Sequence, residues 1–490
     1  MKPIFLDHAS TTPIDPVVAA VMSEVLKGDL GIGNPSSGTH AYGRDAASAI
    51  EAARADVAAL IGARAEDIIF TSGATESDNL AILGVARARA DRGRHLVTSR
   101  TEHKAVLDPA RQLEKRGWQV AGLAPDPDGR IDPATVAAAL RPDTQLVSIM
   151  HANNETGVVQ DIAAIAVVCR AHGVFLHCDA AQSAGRLPID VESLGVDLLS
   201  ISAHKLYGPK GIGALWVSPR VRPWIEPLMW GGGHERGLRP GTLATHQIIG
   251  FGRAAARVRE RRESDTHHVE ALVSRFRSDL ADVAGLRWND HPVHRLPGLV
   301  SLSIEGVEGE SLIAALPTIA VSSGAACDSA SGEPSYVLRA QGVPTELAQS
   351  TLRIAFGRFN TETDAVHAAA AVREAVARLR TQDAPGSPAG EGWGVGEAGS
   401  LREGARIRCF VRLDAERHIA AIEFRAATCP DVWAVLEALR GEIVGRPVSA
   451  PTLDGPRDWI RRFNLPTEKL GRLFRVEDAL GAALKAAGEP

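Results

Sequence analysis

The chain has 490 residues, 45% hydrophobic and 23% charged, with a formal net charge of −5. That length implies two or three domains of ordinary globular composition, and the charge gives no reason to expect nucleic acid or a membrane surface as a partner. No apolar run approaches the ~18 residues of a membrane span, and five dispersed cysteines (169, 178, 327, 409 and 429) exclude a disulfide framework and point to a reducing, cytoplasmic setting.

Taken in order, residues 15–27 and 44–60 carry helical spacing of apolar residues, separated by a Gly/Pro-dense loop, 31–38. Residues 67–71 read as a short strand, 72–79 as a turn of small polar residues, and 80–91 as a helix. The pattern repeats with strands at 95–99, 146–150, 174–177 and 198–202 and helices at 104–116 and 162–171. Alternating strands and helices imply an α/β fold with a mostly parallel, doubly wound sheet. Ligands bind such sheets beyond the carboxyl ends of the strands. The polar groups at those ends are Thr75, His103, Asn154, Asp179, Gln182, His204 and Lys205, so one crevice is expected to collect them.

Lys205 stands between His204 and the turn Gly208–Gly213, in a chain with only eight lysines. Lysine forms Schiff bases with carbonyls when its amine is made nucleophilic, although a lysine in a turn is equally a solubilising one. The 72–79 turn, with Gly73, Ala74 and Thr75, suits an anion at a helix N-terminus or a purely structural turn. His103 alone is an ordinary loop histidine, and Asp179 alone an ordinary N-cap. Together they supply what pyridoxal phosphate requires. Lys205 bonds the cofactor, Asp179 keeps the ring nitrogen protonated, His103 stacks on the ring, and Gln182 meets the ring hydroxyl. Thr75, Ser202, His204 and the 73–75 backbone hold the phosphate.

Long stretches carry a resemblance: Leu6–Pro13, Phe70–Asn79, Thr101–Lys104, Asn153–Gly157, Asp179–Ser183, Ser202–Lys205, Gly231–Arg236 and Arg239–Thr242. Over roughly residues 1–380 the chain resembles the NifS/IscS-type cysteine desulfurases of the class V aminotransferase group. The resemblance implies a pyridoxal-phosphate-dependent transferase fold. It places a large cofactor domain over 16–260 and a smaller domain built from 1–15 and 261–380. It also implies a homodimer in which Thr242 reaches the partner subunit's phosphate, and L-cysteine as substrate.

Residues 322–331 form a small, polar run around Cys327, expected as a mobile loop over 321–333 with an exposed thiol rather than a core cysteine. The resemblance assigns Cys327 the attack on the substrate sulfur, leaving a persulfide. Asp328 beside it disfavours the thiolate. Arg353, in an apolar strand-like run, needs an anion partner, either a structural salt bridge or a substrate carboxylate; the resemblance gives Arg353 and Asn154 the latter. A selenocysteine lyase is the alternative enzyme, distinguished by its lack of need for Cys327.

Residues 381–400 read as a flexible Gly/Pro/Ser-rich linker with a reach of roughly 25 Å. Beyond it, 401–490 read as a small α+β domain, with a hairpin over 406–413 and 418–425 and helices over 432–440 and 475–487. Ala421–Cys429 and Leu465–Leu470 weakly resemble the IscU/NifU iron–sulfur scaffold. Cys429 matches one cluster ligand and Cys409 approximates another, while Arg472 replaces a third. A sulfur acceptor such as an iron–sulfur scaffold is the implied partner, the chain's own tail included. The alternatives for this tail are sulfur receipt on Cys429 and a purely docking or regulatory domain that carries the chain's main role; a metal site is not expected.

Overall fold

The computed structural model describes residues 2–323, 334–383, 386, 388–389, 391–449 and 454–488. Its central sheet has seven strands: β1 (Ile68–Thr71), β2 (His95–Ser99), β3 (Gln119–Leu123), β4 (Thr144–Ser148), β5 (Phe175–Asp179), β6 (Leu198–Ser202) and β7 (Gly213–Val217). Their order is β1-β7-β6-β5-β4-β2-β3. Only β7 runs against its neighbours; the remaining pairs are parallel. Both faces are covered. On β1, Ile68 and Phe70 enter one apolar core while Ile69 enters another; on β7, Ala214 and Trp216 face the first and Leu215 and Val217 the second. Two buried faces explain why these strands read as continuous apolar runs rather than as alternation.

Helices α1 (Pro16–Lys27) and α2 (Ala41–Leu60) begin as the spacing indicates; the Asp15 carboxylate accepts from the Val17 N–H at 2.9 Å and caps α1. Helix α3 (Ala74–Ala88) starts six residues before the position predicted. Its first turns are rich in Thr, Ser, Asp and Asn, which favour turns over helix interiors. Here Ser77 and Asp78 are buried against the sheet, and the Ser77 hydroxyl meets that of Thr71 at 2.8 Å. Helices α4 (Lys104–Glu114) and α5 (Ile162–Ala171) follow the reading closely.

The predicted domain boundary at 260/261 falls inside one helix, α6 (Thr245–Asp279). At 1.5 Å per residue it is about 50 Å long. Ile248, Phe251 and Val258 pack into the large-domain core, and Val269, Val273 and Phe276 into a second core. The polar run between them, Arg259–Asp265, lies where the helix changes partners. The smaller domain has an antiparallel sheet of β8 (Leu286–Trp288), β9 (Leu299–Ile304), β10 (Ser322–Ser323) and β11 (Thr351–Ala355), ordered β10-β11-β9-β8. Helices α7 (Gly309–Ala314), α8 (Tyr336–Ala340) and α9 (Glu362–Gln382) complete it. Leu6, from the N-terminal segment, belongs to this core.

The expected linker is not a linker to residue 400. Gly394–Ser400 is strand β12, paired antiparallel with β13 (Ala405–Leu413), which pairs in turn with β14 (Ile419–Thr428). Helices α10 (Pro430–Ile443), α11 (Pro456–Arg462) and α12 (Leu470–Gly488) complete the domain. Gly394 and Gly396 looked like flexible-linker glycines, but they admit a close helix. A Cβ on Gly396 would lie 2.1 Å from the Ala479 carbonyl oxygen, and one on Gly394 2.2 Å from the Ala487 nitrogen. Asp383 is buried and paired with both Arg406 and Arg408, so the C-terminal domain is also gripped at its entry.

Candidate active site

A cavity of about 550 Å³ opens at the carboxyl ends of the strands, lined by Gly73, Ala74, Thr75, His103, Asn154, Asp179, Gln182, Ser202, His204, Lys205 and Arg353. Each of these was a sequence candidate. Thr242 is exposed and does not line it. Cys327 and Asp328 lie outside the described residues.

At one end, Gly73 precedes the first turn of α3 with φ +155°, and the nearest atom to a Cβ built there is the Ser202 hydroxyl oxygen at 4.0 Å. The space in front of the helix N-terminus is therefore open to an anion. His204 flanks it; its Nδ1 meets the Thr11 hydroxyl at 3.1 Å, and burial and the neighbouring Lys205 depress its pKa to about 4. Its ring is therefore a neutral imidazole.

The floor of the cavity is acidic. Asp179 accepts from the Ala181 N–H at 2.8 Å, and burial and the nearby Asp78 push its pKa up to about 6. Behind it, burial raises Asp78 to about 7 and holds Glu102 well above the usual carboxylate range. A cation against Asp179 would restore its ionised form, which is the condition a protonated ring nitrogen meets. His103 caps α4, its Nδ1 accepting from the Ala105 N–H at 3.1 Å; burial lowers its pKa, although Asp179 opposes the shift. An accepting Nδ1 puts the ring in its neutral form, able to exchange a proton through Nε2.

The Lys205 ammonium donates to the Ala9 carbonyl, which also accepts from Gln182 Nε2 at 2.8 Å. At the other end, buried Arg353 donates to the Asn154 carbonyl (2.8 Å), Asp7 (2.8 Å) and the Ser10 hydroxyl (2.7 Å). The anion partner expected for Arg353 is thus Asp7. Arg353 Nε and Asn154 Oδ1 are buried with no hydrogen-bond partner, and both residues line the cavity. Ala9, Ser10 and Thr11 also line the cavity. Sequence reasoning gave them no role, though the Leu6–Pro13 motif that contains them was visible.

A second cluster sits where the C-terminal domain meets the smaller domain. Ligand atoms of Glu310 on α7, Cys429 and Asp431 lie within 4.8 Å of one another. Lys469 Nζ is 2.5 Å from Glu310, and Arg472 contacts Glu310 at 3.1 Å and Glu308 at 3.5 Å. The Arg472 guanidinium also lies near enough to the Cys429 sulfur to interact with it electrostatically. Two side-chain cations therefore stand among the acidic groups. Cys409 is not part of this cluster. It is buried mid-strand opposite Phe424, five residues short of Cys429 along β14, or about 15 Å, and burial pushes its thiol pKa far up. Alternation placed it on the core face, where a small thiol packs as a hydrophobe.

The fold and cavity define a lysine-centred pyridoxal-phosphate enzyme, and residues 4–367 match the aminotransferase class-V family model. The cysteine desulfurase IscS of Ectopseudomonas mendocina is 54% identical over 77% of this chain and 94% of its own. A solved NifS-like protein superposes with a TM-score of 0.72 at 33% identity, covering 77% of this chain and all of that one. SspA, solved in complex with cysteine, gives 0.64 at 36% identity over 73% of this chain and all of its own. The chain belongs to the IscS-type cysteine desulfurases of aminotransferase class V. Pyridoxal 5'-phosphate is the cofactor of this family, and the lysine, buried acid, imidazole and open N–H cup described above fit it.

Proposed function

We propose that the chain takes sulfur from L-cysteine, releases L-alanine, and holds the sulfur as a persulfide on Cys327 for delivery to an acceptor in iron–sulfur cluster synthesis. The observation that carries the reading is the convergence of Lys205, His103, Asp179, Asn154 and Arg353 on one cavity. The cofactor, when bound, supplies an electron sink for the substrate α-carbon. Lys205 is its attachment point. Asp179 holds the ring nitrogen's proton, and Ser202, His204, Thr75 and the 73–75 backbone hold its phosphate. Gln182 meets the ring hydroxyl.

Arg353 and Asn154 orient the substrate carboxylate, which fixes which α-carbon bond faces Lys205 and His103. Those two move the proton. Cys327 thiolate attacks the substrate sulfur; the C–S electron pair stays with carbon, which is protonated and leaves as L-alanine. A homodimer in which Thr242 serves the neighbouring site accords with its exposure and its place outside this chain's own cavity. No helix among the described residues is long and apolar enough to cross a membrane, and the setting we propose is cytoplasmic.

The C-terminal domain we read as a fused, scaffold-like docking partner. Glu310, Asp431, Lys469 and Arg472 gather around Cys429, and the two cations already placed among these acidic groups disfavour a metal cluster there. The test is L-alanine release from L-cysteine with a reductant, for the parent and Cys327→Ala. Turnover in the parent alone supports the reading; equal turnover in both favours a selenocysteine-lyase-like route, and none in either refutes it. Mass spectrometry of Cys429 after turnover decides whether the tail receives the sulfur.

A further inference from the structure

Ser322 and Ser323 on β10 and Pro334 are the described residues that flank the Cys327 segment. The contacts just after Pro334 are specific. Ser335 is 1% exposed. Its hydroxyl donates to the Glu155 carboxylate and accepts from the Leu338 N–H at 3.1 Å, capping α8. The next residue, Tyr336, donates its hydroxyl to the Glu102 carbonyl at 2.7 Å.

Both acceptors are neighbours of active-site side chains. Glu102 immediately precedes His103, and Glu155 immediately follows Asn154. Each is itself fixed. The Glu102 carboxylate accepts from the Met150 N–H at 3.0 Å, and the Glu155 N–H donates to Asn153 Oδ1 at 2.8 Å. Asn153 in turn donates to the Thr101 carbonyl at 2.9 Å. The two loops are thus tied to each other and, through Ser335 and Tyr336, to the smaller domain. A helix of five residues such as α8 gains little from propensity alone, so its side-chain tethers decide where the chain emerges.

We propose that Ser335 and Tyr336 are positioning residues for sulfur transfer. They hold the chain leaving the Cys327 segment in register with the loops that carry His103 and Asn154. The proposal rests on the reading that Cys327 is the sulfur acceptor. It separates two parts of the reaction. Proton exchange at the substrate α-carbon needs the cofactor, Lys205 and His103 with the substrate oriented by Arg353 and Asn154; sulfur transfer also needs the thiol delivered to the substrate. A displacement of about 1 Å in a reacting group costs up to ~100-fold in rate.

The experiment uses full-length holoenzyme with Tyr336→Phe, Ser335→Ala and Ser335→Thr, which keeps a hydroxyl. Three quantities are read: cofactor content by visible absorbance, exchange of the L-cysteine α-proton in D2O by NMR, and L-alanine formation with kcat and KM separated. Cofactor content should be unchanged, and α-proton exchange and KM should stay within about twofold of the parent. For both Tyr336→Phe and Ser335→Ala, kcat for alanine should fall about tenfold or more, with recovery in Ser335→Thr. A kcat unchanged by both hydroxyl deletions overturns the proposal. So does a parallel fall in cofactor content or proton exchange, which would make the contacts merely structural. Running Cys327→Ala beside them keeps the two readings apart: if it still forms alanine, the acceptor assignment has failed, whereas if it is inactive and both hydroxyl deletions are fully active, only the positioning role has.

Discussion

Glu310→Lys tests what holds the C-terminal domain in place. The Glu310 carboxylate is 2.5 Å from Lys469 and 3.1 Å from Arg472, whose side chains are 11% and 13% exposed, while Glu310 itself is 38% exposed. At an effective dielectric near 20, each such contact carries about 5–7 kcal/mol of Coulomb energy. Desolvation and solvent screening offset most of it, leaving ~1–2 kcal/mol net for the group. Reversing the charge turns both attractions into repulsions, so docking is expected to weaken by ~2–4 kcal/mol, roughly 30- to 800-fold in the undocked population.

Two buried thiols read this out in a Cys327→Ala background. Cys429 packs at the edge of the domain's core with its sulfur close to Glu310 on α7, whereas Cys409 lies mid-strand inside that core. Alkylation followed peptide by peptide should accelerate at Cys429 in Glu310→Lys while Cys409 stays protected, and salt should accelerate it in the parent. Equal acceleration at both thiols would mean that the domain unfolds rather than undocks, and an unchanged Cys429 rate would refute an electrostatic latch.

Three further outcomes follow from the packing. Arg54 and Glu235 form a bidentate pair at 2.7 and 2.8 Å, both nearly fully buried, and Glu235 also accepts from the Phe70 N–H. Arg54→Met should cost about 3–5 kcal/mol in urea unfolding; a loss under about 1 kcal/mol would contradict the burial. Gly396→Val must push α12 off β12, so the C-terminal domain should melt earlier while desulfurase turnover survives; unchanged melting would show that the helix is not in contact there. Asp78 has its pKa raised to about 7 by burial, above its unfolded value of about 3.9. Between those two values the folded state alone keeps the proton, so the group's contribution to stability falls with rising pH, by up to about 1.4 kcal/mol per unit, and is fully lost above about pH 7. Asp78→Asn should therefore gain on the parent from about pH 4 to about pH 7 and then level off. A stability difference that is flat across this range would refute the assignment.

Much of the candidate site's lining was legible without coordinates because each part is local. Asp179, Lys205, His103 and the 73–75 turn each lie at or just past a strand end, where a few neighbouring residues suffice to place them at one cavity. The α3 start was misread for a related reason: its polar first turns face a buried network, and propensity sees only their preference for turns.

What the tertiary structure decided depends on contacts between distant segments. The carbonyl of Ala9 meets Lys205 and Gln182 from far away in sequence, so nothing near it announces a role. Gly394 and Gly396 carry the same letters in a flexible linker and in a strand crossed by a helix; only the position of Ala479 and Ala487 distinguishes the two. Cys409 and Cys429 share a residue type and a core, but Cys429, just past the end of β14, also lies against Glu310 and Asp431. Local chemistry is written in neighbouring residues and can be read there. Which surfaces meet is set by packing summed over the whole chain, and no short stretch encodes that sum.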